Sequence, residues 1–489
     1  MPEPGLREAL PRAGEAALLG AFRALASLSA YASGFRALSD DDYARITIAQ
    51  RFAAAPHFDP SGTSWLPFPF WLYGAAFRVF GTDLAVARAT AIALGTLATL
   101  LVYSAARVLG ASRTGAMFAA ALATLLPYSA LLGIAAVPEV PCAALILFGA
   151  ATLARREPSS RMLGAIALCL ATLSRYEAWP VALCFAGCCA WDARRKPKFA
   201  LAAAFALLGL AAWLVVGRAE HGSATFFIAR VTSYKQALGA SESGPLLVRV
   251  LEYPGLLIRA EPEIFALLLV LFIFGWRHAD RKKLAPFSRP CVALLSLLAF
   301  LVWGSARDGA PTHHAARVLL PIWFFLCAVI GAAFTRLFDG SSRQHRAALL
   351  GAATAAAALG LWLRPKLTNV EAFAERSLEL AAGSEAKRRG LDALALDSHD
   401  YGYFAIQAAL GTPQKTIVLD DHDPRHAMVG DPFASGDELA RLLNERGARF
   451  LLATHEHVVV AAQACDELWT NPGFALFRCS EPERAARAP

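Results

Sequence analysis

Three consecutive acids, Asp40, Asp41 and Asp42, stand directly after the first apolar stretch of the chain and are followed by Tyr43. A carboxylate is costly in hydrocarbon, so this run is expected at a membrane surface or in a wet cavity. There, a carboxylate could act as a general base. The alternative is a solvated helix N-terminus, where the helix dipole favours aspartates.

Two further groups of charged residues could take part in the same chemistry. Glu139 lies in the sequence V-P-E-V-P, at the mouth of a stretch that is otherwise apolar. Arg175 and Glu177 flank Tyr176 between two short apolar stretches. The structural alternatives are an ordinary loop glutamate for Glu139, and an ion pair inside a helix hairpin for Arg175 and Glu177.

A third group, His313, His314 and Arg317, precedes another apolar run. Arg317 stands where that run begins, so its guanidinium can reach the headgroup plane and hold a phosphate through two hydrogen bonds. Its alternative is a side chain that snorkels to the interface.

Carboxylates and phosphate-binding cations together suit the transfer of a sugar from a lipid phosphate to a hydroxyl. One carboxylate takes the proton of the acceptor, and the positive charge stabilises the departing phosphate. A single base with no covalent intermediate would invert the anomeric centre.

The composition indicates what must position these residues. Of 489 residues, 56% are hydrophobic and only 18% are charged, whereas a soluble domain carries about 25% charged residues. The chain is therefore predicted to be a polytopic α-helical membrane protein with membrane lipids as partners. Its net charge of +8 does not indicate nucleic acid, because the basic residues lie in the connections between apolar stretches.

Hydropathy predicts about eleven spans, each near the length needed to cross roughly 30 Å of hydrocarbon. They lie near 16–34, 84–106, 114–130, 138–154, 161–174, 179–192, 199–217, 264–277, 288–305, 317–335 and 347–363. The first outer loop, about 35–66, is predicted to contain an amphipathic helix that Pro56 ends. A proline-rich aromatic segment then returns to the membrane.

The basic residues predict the orientation, because lysine and arginine concentrate in cytoplasmic connections. With the N-terminus in the cytoplasm, the connections near 107–113, 155–161, 194–198, 277–283 and 336–346 all lie inside. The acidic triplet, Glu139, Glu177, the segment 218–263 and the loop 306–316 then lie outside. The start of the chain lacks the small-residue cleavage site of a signal peptide.

The composition changes to that of a soluble domain after the last predicted span. We therefore predict a membrane domain over 1–364 and a small extracytoplasmic α/β domain over 365–489. Short β-like runs at 391–396, 416–419, 450–453 and 474–477 alternate there with helical stretches such as 437–445.

Cysteine and metal signals are few. Seven of the nine cysteines lie in or beside predicted spans, whereas Cys465 and Cys479 lie in the C-terminal domain and could pair in an oxidising compartment. His455-Glu456-His457 is too closely spaced for a helical zinc motif. The three aspartates could hold a divalent cation through oxygen ligands, although no full ligand set can be counted.

The quoted motifs resemble those of the glycosyltransferase-C superfamily. These are S-D-D-D-Y-A-R at 39–45, W-L-P at 65–67, the acid before a proline region at Glu139, and H-H-A-A-R-V-L-L-P at 313–321. The nearest group is the family-39-like enzymes, which include protein O-mannosyltransferases and bacterial aminoarabinose transferases. The resemblance covers about 1–365 and implies a multi-span domain, polyprenyl-phosphate sugars as donors, and a lipid, glycan or protein acceptor.

The resemblance also implies roles for individual residues. Asp40 or Asp41 would be the base, with Asp42 as its neighbour or a metal ligand. Asp42 and Tyr43 are also predicted to contact the substrate. Glu139 would be the second acidic position and Arg317 a contact of the donor phosphate.

Two other classes of function remain open at this point. A transporter or flippase of envelope lipids or glycans would use the acids to bind or relay cations. A structural subunit of an envelope-assembly complex would use the C-terminal domain, where 397–405 and 420–426 carry polar and aromatic residues suited to a glycan or a partner.

Overall fold

The structure is a computed structural model that describes residues 6–237, 245–275, 281–308, 314–339, 342–367, 373–420, 423, 425 and 431–479. The chain is mostly helical, as expected of a polytopic membrane protein. The helices are α1 (Leu6–Ala9), α2 (Ala13–Ala32), α3 (Asp40–Ala54), α4 (Phe68–Phe80), α5 (Leu84–Val108), α6 (Arg113–Leu125), α7 (Pro127–Leu132), α8 (Glu139–Ala151), α9 (Pro158–Thr172), α10 (Ala178–Ala193), α11 (Lys198–His221), α12 (Phe226–Ala237), α13 (Leu246–Arg259), α14 (Pro262–Gly275), α15 (Arg281–Asp308), α16 (Leu320–Asp339), α17 (Arg343–Leu367), α18 (Ser377–Arg388), α19 (Tyr403–Leu410), α20 (Gly436–Glu445) and α21 (Val458–Ala464). The strands are β1 (Leu394–Leu396), β2 (Thr416–Val418), β3 (Phe450–Thr454), β4 (Cys465–Thr470) and β5 (Phe474–Cys479).

The chain forms two compact units. The first, the membrane unit, comprises Met1–Gly34, Thr63–Phe68 and Ala91–Ala372. The second, the sheet unit, comprises Phe35–Gly62, Pro69–Thr90 and Phe373–Pro489. The segment that carries the three aspartates therefore belongs to the same compact unit as the C-terminal residues.

Five helices in the described part of the chain are long and apolar enough to cross a membrane by length and composition. They are Leu84–Val108, Lys198–His221, Ala285–Arg307, Ala315–Phe334 and Arg343–Arg364. Three shorter apolar helices cover Glu139–Ala154, Ala178–Ala193 and Pro262–Phe274. The predicted number of about eleven is not confirmed, and the predicted span 114–130 is divided because Pro127 begins a new helix.

Arg23 interrupts the first predicted span, and the membrane unit buries it completely. Its guanidinium donates to the hydroxyl of Ser129 at 2.9 Å and to the carbonyl of the same residue at 2.6 Å. A Cβ at Gly95 or Gly133 would collide with the guanidinium, so two glycines provide its space. A buried charge is tolerated only when such partners are present.

The sheet unit contains a five-stranded sheet with the order β2-β1-β3-β5-β4. Strand β1 pairs in parallel with β2 and β3, whereas β5 pairs in antiparallel with β3 and β4. Residues of α18 and α19 pack on one face of the sheet, and residues of α20 and α21 pack on the other.

The predicted strands of the C-terminal domain are confirmed, and one strand was missed. Strand β4 was not predicted, because its sequence C-D-E-L-W-T has little apolar alternation and it lies at an edge of the sheet. Cys465 in β4 lies directly opposite Cys479 in β5, and the two form a disulfide.

Backbone, aromatic and side-chain contacts attach the aspartate segment to the rest of the sheet unit. Ala37 forms an isolated antiparallel bridge with Ala374. The rings of Phe35 and Phe373 meet edge to face, with centroids 5.2 Å apart. The amide nitrogen of Gln50 in α3 donates to the carbonyl of Ala408 in α19 at 3.0 Å.

Candidate functional site

The three aspartates form the first turn of α3. Ser39 precedes the helix in an extended conformation, and Asp40, Asp41 and Asp42 supply the acidic first turn that the helix dipole favours. The structural alternative for the triplet is therefore correct as a description of its backbone. The contacts of the individual side chains separate their roles.

Asp40 is held by an arginine that the sequence did not point to. Arg376 donates from Nε to Oδ1 and from Nη2 to Oδ2 of Asp40, both at 2.8 Å, and from Nη1 to Glu379 at 3.0 Å. Hydrogen bonding to Asp40 raises the pKa of Arg376. This two-point contact gives the Asp40 carboxylate one defined orientation.

Asp42 and Tyr43, predicted to contact substrate, are both fully buried. Asp42 accepts a hydrogen bond from the backbone N–H of Leu38 at 2.7 Å, which stabilises the entry to α3. Burial raises the pKa of Tyr43 to about 12. These two side chains support the start of the helix, whereas Asp40 and Asp41 are partly exposed.

The triplet does not fit a divalent cation held by all three aspartates. The guanidinium of Arg376 bonds to both oxygens of Asp40 and stands where a cation would have to bind. Asp42 directs one oxygen to the backbone N–H of Leu38, which precedes the helix. We therefore assign no metal to this triplet.

A second group of charged residues comes together in the membrane unit. Arg175 donates to Oε1 of Glu139 at 2.5 Å, and to Glu177 at 2.7 Å from Nη2 and 3.2 Å from Nε. Arg317 approaches the same oxygen of Glu139 at 3.5 Å. The Glu139 side chain is only 2% exposed. These two acids and two arginines come from three parts of the sequence, and together they are named the Glu139 cluster.

Aromatic side chains fix the turn that carries Arg175 and Glu177. Tyr176 donates to the carbonyl of Ser64 at 2.7 Å and accepts from the indole N–H of Trp213 at 3.2 Å. Its ring stacks on Phe227 with centroids 4.5 Å apart. Because Tyr176 points into this aromatic cluster, its two charged neighbours are held in place beside it.

Arg317 is presented by a short 3-10 helix, Ala315–Leu319. His314 precedes it with a left-handed backbone, φ 51°. The side chain of His314 is buried, and its Nδ1 lies 3.4 Å from the hydroxyl of Tyr128. His313, also predicted to be a site residue, lies outside the described residues.

The two arginines of the Glu139 cluster differ in their contacts with the acids. Arg175 donates from Nε and from both Nη atoms to Glu139 and Glu177, which uses three of its five N–H groups. Arg317 has the longer contact with Glu139. The shortest distance between Arg317 and Oε1 of Glu139 is 3.5 Å, against 2.5 Å for Arg175.

Comparison with known proteins supports the class that this architecture indicates. The family model for dolichyl-phosphate-mannose-protein mannosyltransferase matches residues 61–216, which include Glu139, Arg175 and Glu177. No match occurs among the curated proteins. This match confirms the resemblance to the glycosyltransferase-C superfamily of membrane glycosyltransferases over that part of the chain.

Two solved structures share the fold. Crystal structures of ArnT from Cupriavidus metallidurans, in the apo state and bound to undecaprenyl phosphate, superpose with TM-scores of 0.58 and 0.56. In each comparison the sequence identity is 14%, and the alignment covers 94% of this chain and 97% of the ArnT chain. The transporter or flippase alternative receives no support from these relatives.

Proposed function

We propose that this protein is an inverting glycosyltransferase that moves a sugar from a polyprenyl-phosphate donor to a lipid, glycan or protein acceptor. The observation that carries the proposal is the Glu139 cluster, in which one buried carboxylate holds two arginines. The name of the matching family includes a lipid-phosphate sugar donor, and the similar ArnT binds undecaprenyl phosphate. Both facts favour a lipid phosphate as the anion for these arginines.

The base is Asp40 or Asp41. Both are partly exposed on the first turn of α3, whereas Asp42 is buried. Removing the proton from the acceptor hydroxyl makes that oxygen nucleophilic, and its attack on the anomeric carbon displaces the lipid phosphate with inversion. The proton remains on the aspartate and both electrons of the broken bond leave with the phosphate.

Arg317 is the contact of the donor phosphate in this proposal. Negative charge develops on the phosphate as the glycosidic bond breaks, and a guanidinium stabilises that charge more strongly where water is excluded. Glu139 is a positioning residue in this proposal, because its carboxylate contacts both arginines.

The reaction is proposed to take place at the outer face of a bacterial inner membrane, with the N-terminus in the cytoplasm and the membrane domain over 1–364. The distribution of basic residues supports this orientation. The disulfide between Cys465 and Cys479 supports it independently, since disulfides persist in oxidising compartments.

The test is transfer of radiolabelled sugar from a panel of undecaprenyl-phosphate sugars, in membranes that contain equal amounts of each variant. Asp40→Asn or Asp41→Asn, whichever removes the base, should lower the rate by roughly 10²–10⁴-fold. Asp42→Asn should act through stability. Asp83→Asn is the matched control, because Asp83 is an exposed aspartate paired with Lys387 in the same unit.

The outcomes are distinct. If both Asp40→Asn and Asp41→Asn transfer sugar at the wild-type rate, the triplet does not supply the base. If no lipid-phosphate sugar serves the wild-type protein, the proposed reaction is wrong.

A further inference from the structure

The sheet unit contains a second group of polar residues that the proposed reaction does not use. Asp397 follows β1, Thr454 ends β3, and His457 lies three residues after Thr454. Because β1 and β3 are adjacent and parallel, these residues lie at the same edge of the sheet, at the carboxyl ends of both strands.

The chain leaves this edge in two directions. After β1 it continues into α19, which packs on one face of the sheet together with α18. After β3 it continues into α21, which packs on the opposite face together with α20. Loops that diverge from neighbouring parallel strands leave a crevice between them, and such a crevice is where open α/β sheets bind their ligands.

Asp397 and His457 meet across this crevice. Oδ2 of Asp397 accepts from the backbone N–H of Thr454 at 2.8 Å and from its hydroxyl at 2.7 Å, and lies 2.8 Å from Nδ1 of His457. The contact places the proton of a neutral His457 on Nδ1 and leaves Nε2 to accept or, when the ring is charged, to donate. Within the described part of the chain, neither Nε2 of His457 nor Oδ1 of Asp397 has a hydrogen-bond partner.

The surroundings keep the imidazole in place and accessible. The ring of His457 stacks on Phe433, with centroids 4.0 Å apart and planes 5° apart. The side chain of His457 remains 34% exposed, against 11% for Asp397. An oriented and partly exposed imidazole beside a carboxylate is therefore accessible to a ligand at this edge of the sheet.

The neighbouring loop residues indicate the chemical class of the ligand. Exposed His399 and Asp400 follow Asp397, and exposed Glu456 precedes His457. With His455, the two loops carry three carboxylates and three imidazoles, and no lysine or arginine, which disfavours a phosphate or another anion. In the described residues of these loops, the acids and histidines also form no group of metal-ligand geometry. Hydroxyl groups suit this set best, because they donate to carboxylates and both donate to and accept from imidazole.

We propose that the crevice between the loops after β1 and β3 binds an uncharged, hydroxyl-rich saccharide through Asp397 and His457. The proposal does not depend on the transferase reaction, since none of the residues assigned to that reaction lies in the crevice loops. The two proposals can therefore fail separately.

The test is saturation-transfer NMR on the full-length protein in nanodiscs, with maltohexaose, mannohexaose and chitohexaose as probes. Inorganic phosphate is a further probe, followed by phosphorus line broadening. The variants are His457→Phe, which keeps a ring on Phe433, and Asp397→Asn. The control is Asp392→Asn, which removes an exposed carboxylate before β1, at the opposite edge of the sheet, where it pairs with Arg449.

The expected result is saturation transfer to at least one of the saccharides, at millimolar concentration. His457→Phe should weaken that binding about tenfold, the effect of losing one hydrogen bond, with an unchanged melting temperature, and Asp392→Asn should bind as the wild type does. Three results would overturn the proposal: no transfer to any of the three saccharides, undiminished binding by His457→Phe, or binding of phosphate alone. If the wild-type protein binds no saccharide and Asp397→Asn lowers the melting temperature, the contact of Asp397 with His457 and Thr454 is purely structural and links β1 to β3.

Discussion

Replacing Arg376 by glutamine should lower both the stability of the sheet unit and the rate of sugar transfer. Glutamine cannot make the two parallel hydrogen bonds that Arg376 donates to Asp40. It also removes the positive charge that lies between Asp40 and Glu379, so two carboxylates then face each other without a cation.

The magnitude follows from the exposure of the pair. The side chains of Arg376 and Asp40 are 16% and 22% exposed, so water screens their contact only in part. A hydrogen bond to a charged group contributes about 1.5–3 kcal/mol, and we expect a net loss of about 1–3 kcal/mol for the pair. Misplacing a catalytic group by about 1 Å can cost about 100-fold in rate, so the transfer rate should fall by about 10- to 100-fold if Asp40 is the base.

The assay measures transfer from an undecaprenyl-phosphate sugar together with the thermal midpoint of the same nanodisc preparation. Arg376→Lys retains the charge but loses the two-point geometry, and should give an intermediate rate. Arg388→Gln is the matched control, because Arg388 lies on α18, is 69% exposed and pairs with Glu385 three residues earlier.

One result would refute this reasoning. If Asp40→Asn is inactive while Arg376→Gln transfers sugar as fast as Arg388→Gln, Arg376 does not position the base. If Asp41→Asn alone is inactive, Asp41 is the base and Arg376→Gln should change stability more than rate.

Three further predictions concern other parts of the chain. Glu139→Gln should reduce transfer about 10- to 100-fold and raise the KM for the donor, because Arg175 and Arg317 lose the carboxylate that holds them; unchanged donor kinetics would contradict its positioning role. Loss of the disulfide in a Cys465→Ser, Cys479→Ser double variant should destabilise the sheet unit by about 3 kcal/mol, the value for a loop of about 15 residues; urea unfolding of the oxidised and reduced protein measures it. Tyr43→Phe should retain transfer and be neutral or slightly stabilising, because the buried hydroxyl of Tyr43 has no hydrogen-bond partner in the described residues; a large loss of activity would give Tyr43 a role that its burial does not indicate.

Local patterns in the sequence were sufficient for the class of protein and for much of the C-terminal domain. Hydropathy and the low share of charged residues identified a helical membrane protein, because the hydrocarbon of a membrane imposes its composition on every segment that crosses it. Strands β1, β3 and β5 were visible because buried strands carry runs of apolar residues. The edge strand β2 is only partly buried but still has the apolar run T-I-V. Strand β4 was not visible, because its sequence C-D-E-L-W-T contains two adjacent acids and no apolar run.

Only the tertiary structure decided which charged residues are partners. Asp40 and Arg376 lie 336 positions apart, and nothing local in either segment indicates the other. Glu139 could be read as a loop residue until Arg175 and Arg317 were seen on the same oxygen. Asp397 and His457 meet because β1 and β3 are neighbours in the sheet. Hydropathy is a property of each residue and can be read along the chain. An ion pair depends on how distant elements pack. The candidate sites are therefore defined only by the tertiary structure.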